Sequence, residues 1–206
     1  MSADLPARIH LASRSPRRRE LLTQIGIRFD TIAFRTAPRE DPGLDETARP
    51  AENPLHYVER IARRKAEHGC QLVHQRRLLT QPVLAADTTL ELAGRLIGKP
   101  RDPDDARHIL QHLSGRTHRV LTAVAVAFEG RIELALSTSE VRFRPLADDE
   151  IARYVASGEP MDKAGAYGIQ GRAGMFVEYL AGSYSGVMGL PLCETAQLLK
   201  RFGYPL

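Results

Sequence analysis

The chain has 206 residues, of which 43% are hydrophobic and 26% charged, with a formal net charge of +4 and two cysteines. This composition fits an ordinary globular protein with one sizeable domain, or one domain with two lobes. It excludes a disulfide framework or a cysteine-built metal centre, since Cys70 and Cys193 stand far apart, and no apolar run is long enough for a membrane helix. The modest, dispersed positive charge suits an anionic partner. The first residues lack the apolar core of a secretory signal, so the expected location is cytoplasmic.

Ile9, Leu11 and Ala12 predict a short strand. Ser15-Pro16 then reads as a helix start, with serine as N-cap and proline in the first helical position. Leu21, Leu22 and Ile25 give that helix an apolar face, and Gly26 is its stop. Arg17, Arg18 and Arg19 fall in the first turn, where the helix dipole disfavours cations. Such a run is either a solvated basic patch or targeting signal, or a seat for an anion. Free backbone N–H groups, serine hydroxyls and guanidinium forks together suit phosphate.

Residues 36–54 read as a loop or lobe connection. Asn53-Pro54 opens a second helix striped by Val58, Ile61 and Ala62, and Lys65 falls on that same face, seven residues after Val58. A lysine there either snorkels to the rim of the core or reaches a ligand. Residues 69–82 read as another connection. "PVLAAD" is a buried strand ending at Asp87, and "LELAGRLIGKP" a hairpin turning at Ala93-Gly94. Asp102-Pro103 opens a helix carrying Ala106, Ile109, Leu110 and Leu113 on one stripe, ended by Ser114-Gly115. Two long strands joined near Glu129-Gly130 follow. After them come a short helix over "DDEIARYVASG", a glycine-rich stretch from Lys163 to Pro191, and a last helix through "LCETAQLLKRFG". Helices mixed with both crossover and hairpin strand connections predict an α/β fold with a mixed sheet.

Asp87, followed by Thr88-Thr89, is placed at a strand's carboxyl end, where ligands gather in open α/β sheets. It is a metal-holding or base carboxylate there, or a plain turn aspartate. Lys99 in "IGKP" lies after a hairpin that folds it back toward Asp87; Pro100 after it rules out a P-loop. Asp45-Glu46 is an acidic loop pair of the kind usually solvated. His108, His112 and His118 invite a zinc reading that no cysteine or HExxH pattern supports. Cations, a strand-end carboxylate and a divalent ion are the set that phosphoanhydride hydrolysis needs, and the glycine-rich stretch lets backbone approach the rest of a ligand. The residues alone lead to a phosphate-ligand α/β enzyme. A non-catalytic nucleic-acid or protein-binding module would need basic and aromatic residues clustered on one element, but only 6% of the chain is aromatic and it has no tryptophan.

The motifs "LASRSPRRRELL", "YVERIARRKA", "LAADTTL", "IGKP", "LSGRTHRVLTAVAV", "KAGAYGIQG" and "GSYSGVMGLPLCET" occur in an order that resembles the Maf family of nucleoside triphosphate pyrophosphatases, from about Ile9 to Gly203. The resemblance implies a single domain over residues 1–206 with a Maf/inosine triphosphatase-like fold. That fold is an elongated mixed sheet flanked by helices, in two lobes with a substrate cleft between them. It implies hydrolysis of a nucleoside triphosphate to the monophosphate and pyrophosphate with a divalent cation, Mg or Mn. The partner is then the free nucleotide, with no nucleic acid or membrane, and a homodimer is left open. Asp87 matches the family's proton acceptor, and Lys65 and Lys99 match its triphosphate-contacting lysines. Ser13, Arg17 and Arg18 match its phosphate-binding turn, and Glu46 and Asp87 its metal-holding acids. Arg17, Thr88 and Gln170 fall at positions linked to base choice, and their identities look like the dTTP/UTP branch. The branch acting on 7-methyl-GTP is less similar, with tryptophan in place of Arg17 and an acid in place of Gln170. A cationic methylated guanine suits aromatic stacking and a carboxylate, whereas a neutral pyrimidine suits an amide that both donates and accepts.

Overall fold

In the computed structural model, which describes residues 7–32, 34 and 45–206, the chain opens with strand β1 (Ile9–Leu11), helix α1 (Pro16–Gln24) and strand β2 (Phe29–Thr31). Helix α2 (Pro54–Gln75), strands β3 (Val83–Leu92) and β4 (Arg95–Ile97), and helix α3 (Pro103–Leu113) follow. Strands β5 (Thr117–Phe128) and β6 (Arg131–Phe143) lead to helix α4 (Asp148–Ala156), three short 3-10 turns, and strand β7 (Val177–Ala181). The chain finishes with helices α5 (Tyr184–Met188) and α6 (Leu192–Arg201). The proline-opened helices form as expected: the side chains of Ser15, Asn53 and Asp102 each accept a backbone N–H at the start of α1, α2 and α3.

The sheet order is β2-β1-β3-β5-β6-β7, with β4 added on β3. β1 runs parallel to β2 and β3, and the remaining pairs are antiparallel. The long antiparallel β3, β5 and β6 are the spine of the elongated mixed sheet. Strand alternation sends Leu84, Ala86, Val124 and Val126 to one face, under α1 and α6. Val83, Ala85, Ala123 and Ala125 go to the other, under α2. Farther along the same strands, Leu90, Val120, Val141 and Phe143 join α3, α4 and the 3-10 turns in a third cluster. The first two clusters form one lobe and the third forms the other. Among the described residues, no helix is long and apolar enough to cross a membrane.

One edge of β3 is interrupted. β1 meets it only at Val83 and Leu84, and β4 only at Leu90, Glu91 and Leu92. On the opposite edge β5 pairs with β3 without a break from Val83 to Glu91. Residues 85–89 therefore have no strand on the first edge among the described residues. Asp87 lies inside this gap, in the middle of a strand. The expectation that its strand ends there is corrected: Asp87 faces Ala123, Thr88 faces Thr122, and the ladder with β5 carries the strand on.

The connection expected over residues 69–82 is also shorter than read. α2 continues to Gln75, with Leu72 and Val73 extending its buried stripe. Gly69, which looks like a helix stop, is instead the point of closest approach to the sheet. A Cβ there would lie 2.6 Å from Val83 Cγ1 and 3.0 Å from Ala12 Cβ. In the stretch expected as a loop over residues 36–54, residues 45–53 carry no helix or strand, and residues 36–44 lie outside the described residues. The glycine-rich stretch contains two elements not expected from sequence, β7 and α5.

Candidate functional site

A cavity of about 740 Å³ opens over the gap in β3, lined by residues from both lobes. It brings together the nine residues matched above to the family's site: Ser13, Arg17, Arg18, Glu46, Lys65, Asp87, Thr88, Lys99 and Gln170. The sheet edge explains how. Asp87 and Thr88 are neighbours on a strand, so their side chains leave opposite faces. An open edge between the faces lets one cavity reach both.

On the α2 side, Lys65 Nζ donates to Asp87 Oδ1 at 2.8 Å and lies 2.9 Å from Glu46 Oε1. Lys65 and Asp87 are both nearly enclosed, with side chains 12% and 11% exposed, and Glu46 is 46% exposed. Lys65 thus reaches into the site rather than out to the core's rim. Helix α2 also holds the segment that carries Glu46. The Tyr57 hydroxyl donates to the Glu46 carbonyl at 3.0 Å, and Arg64 Nη1 to the Asp45 carbonyl at 3.3 Å. Arg60 makes a two-armed contact with the Glu52 carboxylate. That hydrogen-bonded pair holds the Glu52 carboxyl down at about 2. Burial, with the charges of Asp87 and Glu46, pushes the Tyr57 hydroxyl up to about 12, so it remains a donor.

On the α1 side, the start of the helix brings serine hydroxyls and guanidinium groups to the cavity wall. Ser15 N–H donates to Ser13 Oγ at 3.1 Å, and Ser13 is buried. Arg18 crosses the gap, donating from Nε to the Gly189 carbonyl at 2.7 Å, from Nη1 to Ser13 Oγ at 3.3 Å and from Nη2 to Thr88 Oγ1 at 3.4 Å. Burial draws its pKa down while the Asp87 charge acts the other way. Arg17 Nη1 reaches Asp162 Oδ2 at 3.3 Å, across the cleft in the 3-10 segment. Arg19 is exposed and lies off the cavity wall, because successive helical residues turn away from one another; Arg14 lines the cavity in its place.

Lys99 reaches the site through the β4 hairpin. Leu90 stands opposite Ile97, and that register continued by two residues brings Lys99 level with Thr88. Gln170 is exposed at the cavity wall beside Gly168. A Cβ on Gly168 would come within 2.9 Å of Lys163 Cε and 3.3 Å of Gln170 Nε2, so the bare backbone makes room for both side chains. Asp162, Lys163 and Tyr167 also line the cavity and were not singled out from sequence. They belong to irregular turns, which show no periodicity; only their place beside "KAGAYGIQG" marks them. Burial opposes ionisation of Asp162, but hydrogen bonding to Lys163 and the charges of Lys163 and Arg17 keep its carboxyl below the usual range.

The histidines do not assemble. His108 and His112 are exposed on α3, whereas His118 is buried in the second lobe with Nε2 2.9 Å from the Tyr167 hydroxyl. Burial lowers its imidazole to about 4, so it is neutral at neutral pH. Among the described residues no group of three or more His, Cys, Asp and Glu is placed to hold a metal.

The chain is similar over nearly its whole length to several known proteins. A "dTTP/UTP pyrophosphatase" of Dechloromonas aromatica (strain RCB) is 64% identical over 197 residues, covering 96% of this chain and 98% of that one. A protein of the same description from Aromatoleum aromaticum (strain DSM 19018 / LMG 30748 / EbN1) is 63% identical over 203 residues, 98% of each chain. A third, from Chromobacterium violaceum, is 52% identical over 199 residues, 97% of this chain and 96% of that one. Among solved structures, the Staphylococcus aureus Ham1 protein matches with a TM-score of 0.49 and 17% identity, covering 95% of this chain and 97% of that one. The sequence profile described as "Maf-like protein" matches residues 8–202, nearly the whole length, and the chain belongs to that family.

Proposed function

We propose that this protein is a nucleoside triphosphate pyrophosphatase that hydrolyses dTTP and UTP to the monophosphate and pyrophosphate. The observation that carries the reading is the contact of Lys65 with both Asp87 and Glu46 at the open edge of β3, opposite the arginine turn of α1. Relatives with the same span and 52–64% identity bear the name dTTP/UTP pyrophosphatase.

In this reading the first turn of α1, with Ser13, Arg17 and Arg18, grips the triphosphate, and Lys65 and Lys99 neutralise its reacting end. Asp87, held by Lys65, accepts the proton of the attacking water. Glu46 and Asp87 are hard oxygen donors, and two carboxylates are the usual protein share of a Mg²⁺ shell that substrate phosphates complete. The residues present therefore fit a divalent cation, Mg or Mn. When bound, it supplies charge neutralisation and polarisation of phosphoryl oxygens. Arg17, Thr88 and Gln170 select the base. As part of the same proposal, the enzyme acts on free nucleotides in the cytoplasm and needs no nucleic acid.

The test is pyrophosphate release from a panel of nucleotides with and without magnesium or manganese. The expected order places dTTP and UTP ahead of CTP, ATP, GTP and 7-methyl-GTP, with activity lost to a chelator and restored by the metal. Release from 7-methyl-GTP ahead of UTP would overturn the base assignment, and no release from any nucleotide would overturn the enzyme reading.

A further inference from the structure

Lys163 stands between two 3-10 turns, Glu159–Asp162 and Ala164–Ala166, on the cavity wall. The second turn is tied to β3 and its hairpin. Gly165 N–H donates to the Gly98 carbonyl at 2.9 Å, next to Lys99. Gly165 has a φ of 72° and packs so closely on Leu90 that a Cβ there would overlap that side chain. The Lys163 side chain is 13% exposed, and its Nζ donates to the Glu159 carbonyl and to Asp162 Oδ1, each at 2.6 Å. An ammonium has three protons and accepts nothing, so both contacts have a fixed direction and one N–H is left over. Among the described residues that N–H has no partner, and the space beside it is the cavity. Gln170 shares this wall. Lys163 Cε and Gln170 Nε2 lie over the same bare backbone of Gly168, 2.9 and 3.3 Å from where a Cβ would stand. The local charge is positive: Asp162 also offers Oδ2 to Arg17 at 3.3 Å, so one carboxylate stands between two cations. The Glu159 carboxylate is engaged elsewhere, accepting the Tyr154 hydroxyl and the Arg172 backbone N–H, each at 3.2 Å.

We propose that Lys163 is a specificity-determining residue that touches the base: its free N–H donates to a ring carbonyl next to the groups read by Gln170. This deepens the dTTP/UTP reading and rests on it. Uracil and thymine carry a carbonyl on each side of N3–H. An amide supplies one acceptor and one donor, which match N3–H and one carbonyl. The other carbonyl needs a second donor with no acceptor character, and an ammonium is one. Adenine has no carbonyl to offer and leaves that donor unpaired. A cationic base such as 7-methylguanine meets like charge from Lys163 and Arg17. Lys65 and Lys99 are already assigned to the triphosphate, whereas Lys163 is grouped with Gln170 over Gly168.

The experiment measures kcat/KM for UTP, 2-thio-UTP, 4-thio-UTP, ATP and GTP with the wild-type protein and Lys163→Met. Sulfur in place of oxygen keeps the ring and weakens one carbonyl as an acceptor, while methionine keeps the stem and removes the donor. Both changes strike the same contact, so their effects should not add. The wild-type protein is expected to prefer UTP to one of the two thio analogues by about tenfold or more. Lys163→Met should lower kcat/KM for UTP by about tenfold or more and bring that preference close to one. Lys163→Leu removes the same donor and takes the place of the methionine variant if that protein does not fold. A lysine that serves the triphosphate or only the local fold would depress UTP and both analogues alike, and that outcome overturns the inference. So does a wild-type enzyme indifferent to both sulfur substitutions. A wild-type enzyme that hydrolyses ATP or GTP as well as UTP overturns the base reading on which the inference rests. A UTP preference with no coupling between Lys163 and either sulfur overturns the inference alone.

Discussion

Removing the Lys65 ammonium, as in Lys65→Met, strikes the contact on which the proposed chemistry depends. Methionine keeps most of the apolar stem, on the helix face shared with Val58 and Ile61, and deletes the charge. The Asp87 carboxylate, 11% exposed, then loses the cation 2.8 Å away. Breaking a buried pair by removing one partner costs about 3–5 kcal/mol. The Glu46 arm, 46% exposed, adds at most about 1 kcal/mol. Asp87 borders an open cavity and regains some solvation there, so the low end applies, about 3 kcal/mol. Where the ammonium turns that stabilisation onto charge developing on the reacting triphosphate, about 3 kcal/mol corresponds to roughly a hundredfold fall in kcat/KM. The assay is pyrophosphate release from UTP at saturating magnesium, alongside a thermal unfolding scan that confirms a folded variant. Lys65→Arg should recover only part of the rate, because a planar fork cannot place one donor between two carboxylates as an ammonium does. A folded Lys65→Met protein with kcat/KM within about threefold of wild type would refute the reasoning.

Asp87→Asn keeps the side-chain shape and loses its basicity, so kcat for UTP should fall by about 10²–10⁴ with the fold retained; near-normal turnover would remove Asp87 from the mechanism. His118→Gln should flatten the acid side of the stability profile. The imidazole is lowered from 6.5 to about 4 in the folded protein, chiefly by burial, so the unfolded chain takes up the proton first. Its contribution is full above pH 6.5 and is lost as pH falls toward about 4, by up to about 3 kcal/mol. Urea unfolding at pH 7.0 and pH 4.5 should show a smaller difference for the variant than for wild type. Gly69→Ala gains about 1 kcal/mol of helix propensity but forces a methyl to within 2.6 Å of Val83 Cγ1, a clash worth about 1–3 kcal/mol. A lowered midpoint in thermal unfolding is expected, and an unchanged or raised one would show that α2 can lift off the sheet without cost.

What could be read from the sequence was local. The caps at Ser15, Asn53 and Asp102 lie in the residues themselves, and the stripe through Val58, Ile61 and Ala62 places Lys65 on the sheet-facing side of α2. The interruption beside β3 was not readable, because it arises from where two other strands stop. β1 ends at Leu11 and β4 ends at Ile97, and neither end is marked near Asp87 in the chain. "DTTL" looks like a strand giving way to a turn, yet two β-branched threonines suit a strand well. Pairing with β5, more than thirty residues later, decides the matter. Gly69 misled in the same way, as its role is set by a neighbour in space. Asp162, Lys163 and Tyr167 come to the cavity on irregular backbone, for which no sequence period exists.

The interrupted edge also lets the proposed chemistry and the proposed base choice stand one residue apart. In a strand paired on both sides, Asp87 and Thr88 would belong to separate compartments divided by the sheet. With the edge open, the carboxylate of Asp87 faces α2 and its lysine, while the hydroxyl of Thr88 faces α1, α5 and Arg18. A single ligand lying along the gap can present its reacting phosphate to one face and its base to the other. Each face then keeps its own hydrogen-bonding logic. Acceptors around an ammonium serve one side, and the Thr122 hydroxyl, shared between the Thr88 oxygen and the Gly186 carbonyl, serves the other. The two sets have no residue in common; Arg18, from the α1 turn, donates to Ser13 and Thr88 and so ties the phosphate seat to the base side. Substitutions on the α2 face should therefore change the rate for every nucleotide together, whereas those at Thr88 should change the ranking among nucleotides.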